Sequence, residues 1–579
     1  MKEIKGNIFF NNTLVDAKTI SKDVLNIQNN ISLFLSPGDT VLVFIDRSPT
    51  LIELLYSLFQ VNITYIPVDT SIPSKRLAFI LEHTEIKYII CNKKYKTKFV
   101  KKQCIYIENL KLENLIGRAA VSKNNGNTNS IISYIIYTSG STGNPKGVMV
   151  KKSSLINLMK GVTDVIPYKE GQTIACFTAV SFDIFFLESI MAMIYGLNII
   201  LSSDMEQNNP RLIKKLIEER HPDIIQMTPS RMTLLHQIDI DLKSLDKVKT
   251  ILIGGEQFPI KLLKVLQEHT TARIYNMYGP TETTIWSMIA DLTNETSINI
   301  GVPIRNTEVY LLDNNHEYNE MNIKGELGIL GEGLCAGYYK APELNQQHFI
   351  TLNNKRCYLT GDIVKKTDNG KFIYIGRMDN QIKYHGYRIE LEEIEEAIMK
   401  IPAICHAVCI LDESDKCQKI IAFYDSKNKI ELSVFRKFLS EFIPNYMMPT
   451  DYILYREFCF NSNGKIDRNA LKDNYRKNHL IQTFDCSESI QSKIKIPNKD
   501  DGIVERIVEI FNEIISPTEY KFSATTDLAS YGIASIDYIR ILVEIENQFN
   551  MTFEDEQLNI SLFKNISQIA DYVVKVIKT

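Results

Sequence analysis

The segment Tyr137–Gly147 has the composition of a loop that could hold a phosphate group. Its sequence is YTSGSTGNPKG, with three glycines, several hydroxyl side chains and one lysine. Glycine lets the backbone approach an anion closely, hydroxyl and backbone N–H groups can line the concavity, and Lys146 adds a positive charge. In a Walker P-loop, Gly-Lys-Ser/Thr leads into a helix, whereas Pro-Lys-Gly here precedes the strand-like run VMV. The loop therefore predicts a phosphate site outside the P-loop class, with an ordinary glycine-rich turn as the alternative.

Three charged residues beyond this loop could complete a nucleotide site. Glu282 is a hard oxygen ligand, which suits a Mg²⁺ ion that also binds substrate phosphates. Asp362 in YLTGD could accept hydrogen bonds from both hydroxyls of a ribose, and Lys465 in NGKIDR is a cation in an Asn-Gly turn. Alone, each also has a plain explanation as a surface or turn residue. Their occurrence together supports nucleotide chemistry.

The composition limits the kind of protein that carries these residues. A chain of 579 residues is too long for one ordinary domain, and this length predicts about three or four. The charged share of 23% and net charge of −3 give no electrostatic reason to expect nucleic acid or a membrane surface as a partner. The N-terminus does not resemble a signal peptide, and the longest apolar run, Ile190–Leu201, is shorter than the ~20 residues that span a bilayer. Ten scattered cysteines without a CxxC pair predict reduced thiols in a cytoplasmic protein.

The order of strand-like and helix-like runs predicts four segments. Alternation such as VLVFI followed by PTLIELLYSLF predicts parallel sheets flanked by helices, an α/β core over residues 1–376. The runs FIYIGRMDNQIKYHGYRIE and ELEEIEEAIMK predict a strand pair and a helix in a small α+β subdomain at 377–475. A polar linker follows at 476–500. Amphipathic runs such as GIVERIVEIFNEII predict an all-α four-helix domain at 501–579.

Several motifs resemble those of adenylate-forming enzymes, the superfamily of acyl-CoA synthetases, luciferases and the adenylation domains of nonribosomal peptide synthetases. Besides the loop, these motifs are YIPVDTSIPSKRL, NMYGPTETT, YLTGD, GRMDNQIKYHGYRIELEEIE and NGKIDR, between about Leu51 and Leu471. The resemblance implies that Tyr278 stacks on adenine, Asp362 holds the ribose, Glu282 supports Mg²⁺ and Lys465 is the catalytic lysine. The implied ATP-binding residues are Thr138, Ser139, Gly140, Ser141, Thr142, Gly143, Lys146, Asn276, Tyr278, Gly279, Thr281, Asp362 and Arg377.

The resemblance also implies two half-reactions. A substrate carboxylate attacks the α-phosphorus of ATP in line and pyrophosphate leaves; a thiol then attacks the acyl-adenylate and releases AMP. In the family, the small C-terminal domain rotates between these steps about a hinge aspartate, which is Asp379 here, and Lys465 then leaves the site. The strand pair that contains Gly386 would line the thiol tunnel.

The last domain resembles a peptidyl carrier domain, with Ser535 as the attachment site of 4′-phosphopantetheine. Ala534 and Ile536 stand where the usual pattern has Asp and Leu. A serine that begins a helix is otherwise a common N-cap. The position of Ser535 behind an adenylation domain favours the carrier interpretation, which implies a phosphopantetheinyl transferase as a partner.

Asp183 in SFDIFFLESI stands where amino-acid-activating members hold the substrate ammonium. A carboxylate there is reasonable because a buried charged ligand needs an opposite charge. Lys465 is also implied to belong to this pocket. Its other implied residues are Ile184, Leu187, Gln226, Leu252, Gly254, Met277, Ile285 and Trp286. Most are bulky, and the set resembles that of glycine-activating domains. Glycine is therefore the expected substrate, with alanine second.

Three other functions stay open at this point. They are an acyl- or aminoacyl-CoA ligase with an unrelated helical tail, a D-alanine ligase for cell-wall modification, and a non-enzymatic nucleotide sensor. Asp183 and Ser535 argue against the CoA ligase, and the fused carrier domain argues against the D-alanine ligase. Lys465 argues against the nucleotide sensor. Neither an HHxxxD condensation string nor a GxSxG thioesterase elbow occurs. Condensation or release domains would therefore act in trans or in a longer synthetase.

Overall fold

The computed structural model divides the chain into two compact units. The first comprises Met1–Ile72, Leu77–Thr138 and Pro145–Arg388, and the second comprises Pro73–Arg76, Ser139–Asn144 and Ile389–Thr579. The residues that the structure describes are 4–100, 102–113, 131–140, 143–313, 315–318, 323–413, 418–455, 458, 468, 471–476, 501–515, 521–528, 533, 535–549, 551–553 and 562–578.

Two large sheets organise the first unit. The central strands of both are parallel and are joined by helices, as the alternating sequence pattern predicts. The nine-stranded sheet has the order Val302–Pro303, Met288–Asp291, Arg273–Tyr278, Thr250–Gly254, Ile224–Met227, Thr173–Cys176, Asn198–Leu201, Ile8–Phe10 and Thr13–Val15. The seven-stranded sheet has the order Gly337–Tyr338, Lys146–Lys151, Ile132–Thr138, Thr64–Pro67, Thr40–Phe44, Tyr88–Cys91 and Gln103–Tyr106.

One helix between these strands shows the expected capping chemistry at both ends. The predicted helix PTLIELLYSLF is Pro49–Val61: the Ser48 hydroxyl accepts from the Leu51 N–H, and Asn62 ends the helix with a left-handed φ of 62°. The other helices of this region are Ala17–Ile31, Ser74–Thr84, Ile107–Leu110, Lys152–Val165, Ile184–Phe186, Ala192–Ile194, Asp204–Asn208, Pro210–Arg220, Pro229–Ile238, Ile260–His269 and Pro342–His348. Shorter turns are the 3₁₀ helices Lys93–Phe99, Lys243–Leu245 and Thr281–Thr283 and the π-helix Leu187–Met191.

The first unit also contains a third, five-stranded sheet and, up to Arg388, a short strand pair. The sheet consists of Thr307–Leu312, Lys324–Gly331, Phe349–Leu352, Lys355–Lys366 and Phe372–Arg377. The strand pair is Gln381–Tyr384 with Tyr387–Glu390. We call residues 381–388 the hairpin; they contain the predicted strand–turn–strand around Gly386.

The second unit contains an α+β part and a helical part. The α+β part has the helices Leu391–Met399 and Leu432–Leu439, the 3₁₀ turn Asn445–Met447 and the sheet Ile404–Asp412, Lys419–Ser426 and Asp451–Leu454. Residues 471–476 are helical, and Leu471 and Tyr475 pack into its core. The helical part has Asp501–Ile515, Ser535–Phe549 and Ile566–Lys578, so three helices lie within the described ranges. Among the residues described, none of the helices has the length and apolar character needed to cross a membrane.

Gly301 offers a test of how closely the first unit is packed. Its φ is +77°, and a Cβ there would lie 1.9 Å from the carbonyl oxygen of Ile289. Gly38 also has a left-handed φ, +95°, but nothing lies within 4 Å of its Cβ position. We expect Gly38→Ala to lower the free energy of unfolding by about 1–2 kcal/mol, the cost of a left-handed φ for a residue with a Cβ. Gly301→Ala should lower the free energy of unfolding clearly more, because main-chain atoms must also move.

Urea unfolding followed by Trp286 fluorescence measures this difference, because Trp286 is the single tryptophan and belongs to the first unit. Equal unfolding midpoints for the two variants would contradict the packing at Gly301.

Candidate active site

Several predicted pocket residues lie towards the carboxyl ends of adjacent parallel strands. The strand register pairs Gln226 with Leu252 and Gly254 with Met277, which brings residues of three neighbouring strands to one end of the nine-stranded sheet. In open α/β sheets, ligands bind outside this end of the strands. The geometry therefore groups residues that are up to 51 positions apart in the sequence, from Gln226 to Met277.

A strained turn after the strand Arg273–Tyr278 shapes the wall of this pocket. Thr284 and Ile285 have φ values of 65° and 64°, a region that β-branched residues rarely adopt. The Thr284 hydroxyl donates to the Gly333 carbonyl at 2.6 Å, and the Thr284 carbonyl accepts from the Trp286 N–H at 2.8 Å. These bonds hold the turn so that both Ile285 and Trp286 are buried.

Trp286 limits the space above Gly254. A Cβ on Gly254 would lie 2.6 Å from Cη2 of the indole and 2.6 Å from the Met277 carbonyl oxygen. Only a residue without a side chain fits at position 254, because the indole and Met277 already fill that volume. Trp286 and Met277 therefore occupy the space beside Gly254.

Asp183 brings a buried carboxylate to the same region. It lies directly before the helix Ile184–Phe186, with the Ile184 N–H and the Thr281 hydroxyl beside its carboxylate. Burial raises the pKa of Asp183 to about 6, and the negative charge of Glu282 adds to the rise; the Thr281 hydroxyl and the Ile184 N–H oppose it. A cationic group bound beside Asp183 would favour its ionised form. Leu187 begins the π-helix that follows and is buried.

Glu282 is a fully buried carboxylate held by three donors. Arg388 Nη1 donates to Oε2 at 2.8 Å, the Tyr338 hydroxyl donates to Oε1 at 2.8 Å, and Lys146 Nζ lies 3.4 Å from Oε1. Burial alone would raise the pKa of Glu282, but the charges of Arg388 and Lys146 and the hydrogen bond from Tyr338 outweigh burial and hold it well below its usual value. The carboxylate is therefore ionised.

An ionised Glu282 suits Mg²⁺ as a single protein ligand. Across the described ranges, no cluster of three His, Cys, Asp or Glu side chains could hold a metal ion. Mg²⁺ commonly binds through one or two carboxylates together with substrate phosphates and water. The donor set thus fits an ion that arrives with a nucleotide.

Asp362 connects the predicted nucleotide residues with the predicted hinge. Its Oδ1 accepts from Arg377 Nη1 at 2.6 Å, and its Oδ2 accepts from the Tyr278 hydroxyl. Arg377 also donates to both oxygens of Asp379, at 2.6 Å each. The structure therefore brings Tyr278, Asp362, Arg377 and Asp379 into one hydrogen-bonded chain. Asn276, in contrast, directs its amide to the Asn299 carbonyl at 2.7 Å.

The phosphate loop connects two antiparallel strands. Thr138 pairs with Lys146 in the strand register, so the strands on either side of the loop lie next to each other. In the second unit, the Gly140 N–H donates to Glu393 Oε2 at 3.3 Å, and Glu393 pairs with the buried Arg76. A backbone donor of the loop thus contacts a buried carboxylate of the second unit.

The other predicted residues fall into two groups, those that the structure describes and those that it does not. Gly143 has a φ of 73°, Gly279 lies against the Ile285 carbonyl and the Trp286 backbone, and Ser139 is buried. Ser141, Thr142 and Lys465 lie outside the described residues. Ser535 begins the helix Ser535–Phe549, where the sequence places it, and the structure does not describe its side chain.

Arg388 and Tyr338 contact Glu282, but the sequence motifs did not assign them a role. Arg388 lies in the hairpin, two residues after Gly386, and Tyr338 lies in a two-residue strand. Gly386 has a φ of 87°, and a Cβ there would lie 2.9 Å from Thr228 Cγ2. The only sequence signal for Arg388 was its place beside Gly386 in the segment GYRIE.

The chain matches two families of known proteins. Residues 31–339 match the family described as AMP-binding enzyme, and residues 505–573 match the family described as phosphopantetheine attachment site. Zwittermicin A synthase ZmaJ of Bacillus cereus is 32% identical over 475 residues, which are 78% of this chain and 89% of that protein. Bacitracin synthase 3 of Bacillus licheniformis is 31% identical over 451 residues, but the chain spans only 7% of that protein.

A solved structure with the same domain order confirms the predicted fold class. Holo-PA1221, a nonribosomal peptide synthetase protein with adenylation and carrier domains, superposes with a TM-score of 0.79 at 21% identity, and the match covers 98% of this chain and 93% of that one. Members of the AMP-binding family use ATP and Mg²⁺, and the attachment domain carries 4′-phosphopantetheine. The chain therefore belongs to the AMP-binding enzymes, as an adenylate-forming ligase of the nonribosomal peptide synthetase type that is followed by a carrier domain.

Proposed function

We propose that this chain activates a small amino acid, glycine before alanine, as the aminoacyl-adenylate and transfers it to the phosphopantetheine thiol on Ser535. The observation that carries the proposal is the combination of a buried carboxylate, Asp183, with a pocket wall that Trp286 fills against Gly254. The Asp183 carboxylate selects a substrate with an ammonium group, and the wall at Trp286 excludes a large substrate side chain.

The nucleotide would lie along the chain of hydrogen-bonded residues around Asp362. Asp362 accepts the ribose hydroxyls, Tyr278 faces the adenine, and Arg377 holds the aspartate in place. Phosphates would lie at the loop between Thr138 and Lys146. We propose the same ATP-binding set as the sequence predicts, with Ser139, Gly140, Ser141, Thr142, Gly143, Asn276, Gly279 and Thr281 completing it.

In the first half-reaction, a substrate carboxylate oxygen forms a bond to the α-phosphorus, and the bond from that phosphorus to the pyrophosphate oxygen breaks. Glu282 would hold Mg²⁺, which would neutralise charge on the phosphates. Asp183 orients the amino acid through its ammonium group, and Lys146 faces the developing negative charge. Lys465 is proposed to bridge the carboxylate and the α-phosphate.

The amino-acid pocket is proposed to consist of Asp183 at its mouth and of the mostly apolar wall behind it. Gln226 and Trp286 each retain a buried polar atom, Oε1 and Nε1, without a hydrogen-bond partner among the described residues. The wall residues are Ile184, Leu187, Gln226, Leu252, Gly254, Met277, Ile285 and Trp286. A glycine substrate has no side chain that could contact this wall, so the wall would serve only to exclude larger amino acids.

In the second half-reaction, the thiol loses its proton, its sulfur bonds to the acyl carbon, and the bond to the AMP oxygen breaks. The hairpin with Gly386 is proposed to line the path of the thiol, and Asp379 to act as the hinge. We propose the domain boundaries 1–376, 377–475 and 501–579, with a linker at 476–500. A phosphopantetheinyl transferase would prime Ser535, and condensation or release domains would follow in trans or in a longer synthetase.

Amino-acid-dependent exchange of pyrophosphate into ATP tests the substrate. We expect glycine to stimulate exchange most strongly and alanine second, with no response to large side chains. In Trp286→Ala, the space above Gly254 opens, so the preference for glycine over alanine should fall by about 10-fold or more, the range for one methylene in a pocket.

Trp286→Phe is the matched control, because it keeps an aromatic ring at the wall and should retain most of the preference. A wild-type profile led by a large amino acid, or a Trp286→Ala variant with unchanged selectivity, would contradict the pocket assignment. Thioester formation on free coenzyme A instead of on Ser535 would favour the alternative of a CoA ligase.

The pKa of Asp183 predicts a pH dependence of amino-acid binding. Only the ionised carboxylate attracts the ammonium, and its pKa of about 6 in the protein itself means that it is protonated at lower pH. We expect the KM for glycine to be constant above pH 7 and to rise about tenfold for each unit below 6. The KM for ATP should not follow this curve, and Asp183→Asn should bind glycine weakly at every pH. A flat wild-type profile between pH 5 and 7 (about one unit either side of the pKa) would refute the role of Asp183.

A further inference from the structure

Asp362 lies in a β-bulge of its strand. In the register with the neighbouring strand Lys324–Gly331, residues 360–362 lie opposite Leu327 alone. A bulge interrupts the regular ladder of hydrogen bonds, and bulges are common beside active sites, where they redirect a side chain. The main-chain groups of residues 360–362 therefore need partners other than the neighbouring strand.

Two side chains supply these partners. Glu326 Oε1 accepts from the Gly361 N–H at 2.8 Å. The Thr360 hydroxyl accepts from the Asp362 N–H at 3.0 Å and donates to the Leu327 carbonyl at 2.7 Å. A carboxylate and a hydroxyl group thus replace the ladder bonds on the two sides of the Gly361–Asp362 peptide.

The Gly361 backbone is closely surrounded. Its carbonyl accepts from the Met378 N–H at 2.8 Å. Its φ is +71°, a left-handed value that suits glycine, and a Cβ there would lie 2.8 Å from Arg377 Nη2. Because this backbone has little room to shift, it fixes the direction in which the Asp362 side chain leaves the strand.

Glu326 is itself held in place. Its side chain is buried, and a buried carboxylate is stable only when donors surround it. Besides the Gly361 N–H on Oε1, the ring nitrogen Nδ1 of His316 lies 3.2 Å from Oε2. Hydrogen bonds to a carboxylate are stronger than those between neutral groups. Glu326 is therefore a fixed and strong acceptor at the base of the bulge.

We propose that Glu326 is a positioning residue for nucleotide binding, which holds the Gly361 N–H and thereby directs the Asp362 carboxylate at the two ribose hydroxyls. The inference rests on the proposed role of Asp362 in binding the ribose. Glu326 acts through Asp362 and does not touch the nucleotide. A change at Glu326 should therefore weaken only the part of nucleotide binding that the ribose hydroxyls provide, whereas a general loss of structure would weaken every nucleotide alike.

Equilibrium binding of two nucleotides to the full chain separates these two effects. The nucleotides are ATP and 2′,3′-dideoxy-ATP, which lacks both ribose hydroxyls. Titration calorimetry with Mg²⁺ and without an amino acid gives both dissociation constants, and their ratio is the ATP preference. We expect the wild-type chain to bind ATP at least about tenfold more tightly than the dideoxy nucleotide, a factor that one hydrogen bond can supply.

Two conservative variants separate the reach of Glu326 from its charge. Glu326→Asp keeps the charge, but its carboxylate is one methylene shorter and does not reach the Gly361 N–H. We expect Glu326→Asp to lower the ATP preference about fivefold, the effect of one ordinary hydrogen bond, with the dissociation constant of the dideoxy nucleotide unchanged. Glu326→Gln keeps an acceptor oxygen at the same reach and should retain the wild-type preference.

Glu308→Asp is the matched control. Glu308 lies in another strand of the same sheet, Thr307–Leu312, and pairs with Lys355 at the exposed surface. The same shortening there should leave the ATP preference at its wild-type value. The proposal is overturned if Glu326→Asp keeps the wild-type preference or weakens both nucleotides by the same factor. It is also overturned if Glu326→Gln loses as much preference as Glu326→Asp, because the effect would then belong to the charge.

Asp362→Ala distinguishes a failure of this inference from a failure of the function on which it rests. If the wild-type chain binds both nucleotides equally, or if Asp362→Ala keeps the ATP preference, Asp362 does not bind the ribose and the nucleotide assignment fails together with the inference. If Asp362→Ala loses the preference while Glu326→Asp keeps it, only the positioning role of Glu326 is refuted.

Discussion

A buried negative charge must be neutralised, and Glu282 is the charge around which the site is organised. A carboxylate without solvent contact is stable only when donors and cations surround it. Here the donors come from three distant parts of the chain, Lys146, Tyr338 and Arg388. Each donor also belongs to another structural feature, because Lys146 ends the phosphate loop, Tyr338 lies at the edge of the seven-stranded sheet and Arg388 is part of the hairpin. The charge of one residue thus fixes the relative position of several elements of the first unit.

The turn that carries Glu282 also shapes the proposed amino-acid pocket. Thr281–Thr283 form a 3₁₀ turn, and the left-handed residues Thr284 and Ile285 then reverse the chain so that Trp286 lies over Gly254. Such backbone strain persists where surrounding bonds over-determine it, and it is typical of functional sites. The same short segment therefore carries both the proposed metal ligand and the proposed wall of the amino-acid pocket.

Much of this arrangement could be predicted from local patterns. The alternation of strands and helices indicated parallel sheets, and the parallel order then explains why Gln226, Leu252 and Met277 share one end of the sheet. The helix after Ser535 and the helix PTLIELLYSLF follow from periodicity and capping. The individual strands and helices depend on residues that are close in the sequence.

The rest could not be predicted, because it depends on contacts between distant residues. Nothing in the segment GYRIE indicates that Arg388 contacts Glu282, more than 100 residues away. Asp362 similarly obtains Tyr278 and Arg377 only through tertiary packing. The left-handed φ of Thr284 and Ile285 opposes the intrinsic preference of both residues, so that local propensity would have predicted a different turn.

Intact-protein mass spectrometry of the phosphopantetheinylated chain, incubated with ATP, Mg²⁺ and an equimolar mixture of amino acids, tests whether the chain loads glycine onto Ser535. We expect one added aminoacyl group, that of glycine, which is removed by hydroxylamine and is absent from Ser535→Ala. A mass increase from a large amino acid, or acylation that persists in Ser535→Ala, would contradict it.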